Sequence, residues 1–121
     1  MSGQAVRKYK EAWEARERER YSHAEKLRKK ALRDAERAVG ILASEYGIKK
    51  AIVFGSVLEQ GEFLEGSDID IAVEGLNAGQ FFEAYGRLMM ELDFHIDLKP
   101  FESLKGLIRE RVKKGKVLYE I

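Results

Sequence analysis

The sequence predicts an α+β fold: one long leading helix, then short strands alternating with shorter helices in a single small domain. Three observations carry that expectation. From about Gln4 to Tyr46 there is no proline, only Gly40 interrupts, and Ala, Glu, Lys and Arg dominate, all strong helix formers. Two stretches, Asp68 to Glu74 and Phe94 to Leu98, alternate apolar and polar side chains with the period of a strand. Helix-period segments follow each of them.

The leading helix presents Ala24, Leu27, Ala31, Ala35, Ala38 and Leu42 at spacings of three and four, a narrow apolar stripe. Glu14 with Arg18 and Glu25 with Lys29 are favourably oriented pairs. Ser22 and Glu25 have capping-box spacing after the polar run EARERER and could divide the helix, but the composition favours continuity to Tyr46-Gly47. A helix of about 40 residues spans ~60 Å, about twice the width of a small domain. One half can therefore pack on a sheet while the other projects, with Tyr9 and Trp13 as candidate contacts for a partner or for a second copy of the chain. The plainer alternative for that half is a solvated, frayed helix end. The expected division is a helical segment over 1–47 and a domain over 48–121.

Ala51 to Phe54 reads as a short buried strand, followed at Gly55-Ser56 by a turn of helix and by a loop from Gly61 to Gly66. Asp68 to Glu74 is the second strand. Asn77 to Leu92 is helical, with Phe81, Phe82, Tyr85, Leu88, Met89 and Leu92 expected to face inward as core. Phe94 to Leu98 is the third strand, ended by Pro100. A helix from Glu102 to Lys114, stopped by Gly115, and a last strand from Val117 to Ile121 complete the chain.

Composition narrows the function. With 121 residues, 45% of them hydrophobic, one ordinary core is supported. No cysteine occurs, which removes disulfides, thiolate metal ligands and a cysteine nucleophile. No apolar run approaches the roughly 20 residues of a membrane span, so a soluble, cytoplasmic protein is expected. Basic residues outnumber acidic ones 12 to 8 up to Gly47, whereas beyond it acidic residues prevail 13 to 10. The basic excess lies on a helix and the candidate site is acidic, which favours a metal–nucleotide ligand over direct nucleic-acid binding.

That site begins with SDIDIAV. In a strand, Asp68 and Asp70 leave one face while Ile69, Ile71 and Val73 leave the other. Unit charges ~4 to 7 Å apart at an effective dielectric of about 20 repel by roughly 2 to 4 kcal/mol, a cost that a divalent cation reverses. Asp97 joins them if its strand pairs with theirs in the right register. Three carboxylates make a hard oxygen site suited to magnesium, which shares its shell with substrate phosphates. Gly55-Ser56 offers close backbone approach and a hydroxyl to those phosphates. Phosphoryl or nucleotidyl transfer is the chemistry such a site performs, with two ions serving the attacking hydroxyl and the departing pyrophosphate. His95 and Lys99 share the polar face of Asp97, as proton shuttle and phosphate contact or simply as surface residues. The basic run Arg109 to Lys116 reads as a solvated helix end favourable to the helix dipole, with RNA contact as the alternative.

Gly55-Ser56, eleven intervening residues, Asp68-Ile69-Asp70 and then Asp97 in FHIDLKPFESL resemble the nucleotidyltransferase domain of the DNA polymerase beta superfamily, and most closely its minimal nucleotidyltransferases. The resemblance runs from Ile48 to Ile121 and includes the end RERVKKGKVLYEI. It implies a mixed sheet with helices packed on it, and magnesium-dependent transfer of a nucleoside monophosphate from an NTP such as ATP. It further implies metal binding by Asp68, Asp70 and Asp97, and triphosphate contact by Gly55 and Ser56. Many relatives act as antitoxins to a HEPN-domain toxin, a small helical RNase, in some cases by adenylylating it. Relatives often carry basic residues just after Gly-Ser, whereas this loop contains Val57, Glu59, Glu62 and Glu65 and no Lys or Arg, so triphosphate binding would depend on metal and backbone. Two alternatives accompany this reading: a non-catalytic partner-binding module with a weak nucleotide site, and transfer to a small molecule.

Overall fold

A computed structural model describes residues 2–121. Helix α1 runs unbroken from Gly3 to Tyr46, capped at its start by the Ser2 hydroxyl, which accepts the Ala5 N–H at 3.2 Å, and at its end by Gly47 with φ 60°. Ser22 does not divide it. No described residue before Ala24 is buried, so the first half of the helix projects. Val6, Tyr9 and Trp13 lie exposed on that half. The second half buries Ala24, Ala31, Ala35, Ala38, Val39 and Leu42. Its small alanines let the helix axis come close to the sheet.

Strands β1 (Lys50–Phe54), β2 (Ile69–Glu74), β3 (Ile96–Pro100) and β4 (Lys116–Glu120) form one mixed sheet in the order β3-β2-β1-β4. β1 is antiparallel to both β2 and β4, while β2 and β3 run parallel. One face carries Ala51, Val53, Ile69, Ile71, Val73, Ile96 and Leu98 into the main core, beneath α1 and α2 (Ala78–Glu91). The opposite face carries Ile52, Phe54 and Ala72, which α3 (Gly106–Lys113) covers with Val112 and Ile108. Beyond that small cluster the second face is polar, and there the candidate site lies.

Several expectations need correction. Strand β3 spans Ile96–Pro100 rather than Phe94 to Leu98, so Pro100 lies within it, and β4 spans Lys116–Glu120 rather than Val117 to Ile121. Strand β2 begins at Ile69 rather than Asp68, because pairing with β3 starts where the Ile69 N–H meets the His95 carbonyl at 3.0 Å. The helix expected from Glu102 is instead a 3-10 turn over Phe101–Ser103 followed by α3, since the extended backbone of Lys105 (φ −138°) separates them. On α2, Phe82 is 82% exposed and Met89 54% exposed, so neither belongs to the core. The inward stripe is Phe81, Ala84, Tyr85, Leu88 and Leu92, the one-third of the helix that rests on the sheet. Phe82 packs its ring edge-on to Phe81 instead.

The one buried charged side chain among the described residues is Asp34 on α1, 5% exposed. It accepts the N–H groups of Asp93 and Phe94 at 2.9 and 3.1 Å and pairs with Arg37. Those amides have no strand partner, and Asp34 thereby fixes the entry of β3.

Candidate active site

Parallel pairing of β2 with β3 puts Asp70 directly opposite Asp97. This is the convergence that the alternation in SDIDIAV and FHIDL allowed. The half-buried Asp70 carboxyl is pushed up to about 6, first by burial and then by the negative charge of Asp97, with Lys99 and Arg111 acting in the other direction. Lys99 Nζ donates to Asp97 Oδ2 at 2.7 Å, so one acid of the pair has a protein cation and the other does not.

Asp68 is placed differently. It precedes β2, is exposed, and its Oδ1 lies 3.1 Å from His95 Nδ1, while His95 Nε2 meets the Tyr85 hydroxyl. Among the described residues no three acids or histidines are gathered as a ready metal cluster. The strand acids pair, and Asp68 stands beside them, held by a histidine whose ring α2 orients.

Gly55 ends β1 with φ 82°, a conformation that side chains rarely adopt. A Cβ on Gly55 would lie 2.4 Å from Asp70 Oδ2. Glycine is therefore what lets the turn Gly55–Leu58 sit against the acid pair. Beside that turn opens a cavity of about 510 Å³, bordered by Gly55, Ser56, Glu59, Glu62, Arg111 and Lys114. The cations that the loop after Ser56 lacks come from the end of α3. Neither Arg111 nor Lys114 forms an ion pair among the described residues, so both are available to an anion. Gly115 brings them there: a Cβ on it would fall 2.5 Å from the Val53 carbonyl oxygen, so the chain after α3 passes directly over β1. The run Arg109 to Lys116 is solvent-exposed at Arg111, Lys113, Lys114 and Lys116, as the sequence indicates, and its place beside the cavity is what the sequence reading did not find. The signal that could have found these two residues is the glycine immediately after the basic run, which marks close backbone approach.

The donor set fits magnesium. Both strand acids offer hard carboxylate oxygens, the donors that magnesium takes. A cavity bordered by Gly-Ser and by unpaired cations, next to paired acids on a mixed sheet, belongs to the nucleotidyltransferase class of folds. Residues 36–121 match the family described as Polymerase beta, Nucleotidyltransferase, and the chain belongs to that family.

Solved structures agree. The chain is 28% identical, with a TM-score of 0.59 over 71% of its length and 73% of the other chain, to a toxin-antitoxin crystallised with AMP-PNP. It is 25% identical, with a TM-score of 0.58 and the same coverage, to the toxin-antitoxin MntA-HpeT carrying two aspartate-to-glutamate changes separated by one residue. The toxin-antitoxin MntA-HepT, 23% identical with a TM-score of 0.53 over 75% of this chain and 73% of that one, shows the same fold. No curated protein matched in sequence. Among the described residues no helix is long and apolar enough to cross a membrane.

Proposed function

We propose that this chain is a magnesium-dependent nucleotidyltransferase that moves AMP from ATP to a hydroxyl of a protein partner and acts as the antitoxin of a toxin-antitoxin pair. The observation that carries the reading is Asp70 facing Asp97 across paired strands, with Gly55-Ser56 against them. Asp70 and Asp97, with Asp68 alongside, would hold magnesium, which would neutralise triphosphate charge and ease deprotonation of the acceptor hydroxyl. Gly55 and Ser56 border the cavity and would bind phosphate oxygens through the hydroxyl and backbone, with Arg111 and Lys114 supplying positive charge from the end of α3. The acceptor oxygen bonds to the α-phosphorus, pyrophosphate leaves, and the hydroxyl proton is released. In-line geometry and charge do the work, so the protein needs no nucleophile of its own.

Two relatives support the finer assignment. One is a toxin-antitoxin with AMP-PNP, an ATP analogue, and another carries changes in an Asp-x-Asp pair like Asp68 and Asp70. A HEPN-domain toxin is the partner this suggests, and the exposed Val6, Tyr9 and Trp13 face of α1 is the surface we assign to partner contact. ATP labelled at its α-phosphate, with magnesium and the candidate toxin, should label the toxin. Asp68→Ala with Asp70→Ala should abolish the labelling, and undiminished labelling by the double variant would reject catalysis at this site.

One observation favours a second reading. Glu59 and Glu62 border the same cavity and oppose a triphosphate. A partner-binding module with a weak nucleotide site would accommodate them. In that case the double variant still binds and silences the toxin, and the unmodified chain transfers no label.

A further inference from the structure

The family match begins at residue 36, yet turns of α1 before it hold the loop that follows Gly55-Ser56. Glu25 and Arg28 are paired by two contacts, Arg28 Nε to Glu25 Oε2 at 2.8 Å and Arg28 Nη2 to Glu25 Oε1 at 2.9 Å. Their side chains are only 15% and 14% exposed. An ordinary pair at this spacing on a helix surface is solvated and stabilises its helix only weakly. This one spends its remaining hydrogen-bonding capacity on a loop elsewhere in the sequence. Glu25 Oε2 accepts the Gly61 N–H at 2.9 Å, and Arg28 Nη1 donates to the Val57 carbonyl at 3.2 Å. The segment between those anchors contains Leu58 and Glu59, which line the cavity beside Gly55 and Ser56. Tyr21, one turn earlier, packs against Gly61: a Cβ there would meet its ring at 2.9 Å, at a φ of 78°. Both ends of the segment that follows Gly55-Ser56 are thus tied to two turns of α1. The Arg28 guanidinium and then the Gly61 amide also hold the Glu25 carboxyl down to about 2, so the clamp stays charged at any working pH.

We propose that Glu25 and Arg28 are positioning residues for the nucleotide site, fixing the loop from Val57 to Gly61 so that Gly55 and Ser56 present a preformed phosphate contact. The inference rests on the nucleotidyltransferase reading. The leading helix is then part of the binding machinery as well as a projecting arm. A preformed loop lowers the ordering cost of binding, so loosening it weakens nucleotide affinity and leaves the chemical step alone.

Glu25→Gln keeps the shape and removes the charge that both partners use. Hydrogen exchange at the Gly61 amide should accelerate about tenfold, the loss expected for one charge-assisted hydrogen bond. KM for magnesium-ATP, and Kd for a nonhydrolysable ATP analogue, should rise by a similar factor while kcat at saturating nucleotide stays within about twofold. Arg28→Lys, which keeps the charge but loses the fork, should give the same split if Glu25→Gln folds poorly. Glu19→Gln, on the exposed part of the helix, should change none of these. Unchanged KM and Kd in both clamp variants, with or without faster exchange at Gly61, would overturn the proposal. Failure of the unmodified chain to bind the analogue would overturn the enzymatic reading and this inference together, a result distinct from variants that bind as well as the parent.

Discussion

Asp70→Asn should make the protein more stable at neutral pH although it removes a residue from the proposed site. The folded-state carboxyl titrates at about 6 against an ordinary 3.8. The folded chain therefore holds this proton more tightly than the unfolded chain does. Stability is lost as pH rises from about 4 to about 6, and above that range the ionised Asp70 is a constant burden. Taken in full, a shift of about 2 units corresponds to roughly 3 kcal/mol at 1.36 kcal/mol per unit. The side chain is only half-buried, and solvent screening reduces the effect to about 1 to 1.5 kcal/mol. For a chain of this size that is ~3 to 8 °C in Tm. Thermal unfolding followed by circular dichroism in EDTA, from pH 3.5 to 8, should show the variant melting higher at pH 7.5. The two melting curves should converge at the acid end. Magnesium should then raise the Tm of the parent and leave the variant nearly unmoved. A variant that melts lower than the parent at pH 7.5, or a difference that does not vary with pH, would refute the electrostatic account of the acid pair.

Other substitutions test the rest of the site and its support. Gly55→Ala forces a Cβ into a φ of 82° and toward Asp70 Oδ2, so it should cost ~2 kcal/mol in urea unfolding and displace Asp70, with loss of analogue binding in calorimetry. Arg111→Gln and Lys114→Gln should each raise KM for magnesium-ATP about tenfold and flatten its salt dependence, with little change in Tm. Asp34→Ala strands the amides of Asp93 and Phe94 and should cost about 2 kcal/mol, read as a lowered urea midpoint; Asp34→Asn, which keeps an acceptor, should recover part of it.

The elements were legible where one local pattern decides the structure. The three- and four-residue spacing from Ala24 to Leu42 specified which side of α1 is buried, and alternation in β2 and β3 put Asp70 and Asp97 on one face. Pairing was the missing step, and only the parallel register of the two strands makes neighbours of residues 27 positions apart. Local pattern failed where a residue answers to a distant partner. Glu25 has the spacing of a cap for Ser22, but its carboxylate bonds Gly61, 36 positions away. Asp34 sits in an unremarkable polar stretch and satisfies amides 59 and 60 positions on. Phe82 and Met89 were assigned to the core on hydrophobicity, although the sheet is wide enough to cover only the stripe through Leu88. The basic end of α3 carries no periodic signal toward the site at all, and its position follows from the passage of Gly115 over β1.

The charges around the cavity also distinguish the two functional readings. Glu59, Glu62, Asp70 and Asp97 face Lys99, Arg111 and Lys114, and Lys99 is already committed to Asp97. A bare triphosphate brought to this surface meets more negative than available positive charge and is repelled. Under the proposed function, divalent ions on the acid pair would invert that balance: they would cancel the repulsion between Asp70 and Asp97 and leave Arg111 and Lys114 free for the phosphates. On that reading the acidic border from Glu59 and Glu62 would act as a filter, disfavouring free nucleotide and permitting the metal complex. The same residues that suggest a weakened site are thus compatible with an active one whose substrate is the metal–nucleotide, and affinity for ATP with and without magnesium separates the cases. A weakened site binds ATP poorly in both conditions; a catalytic one binds only when the ion is present.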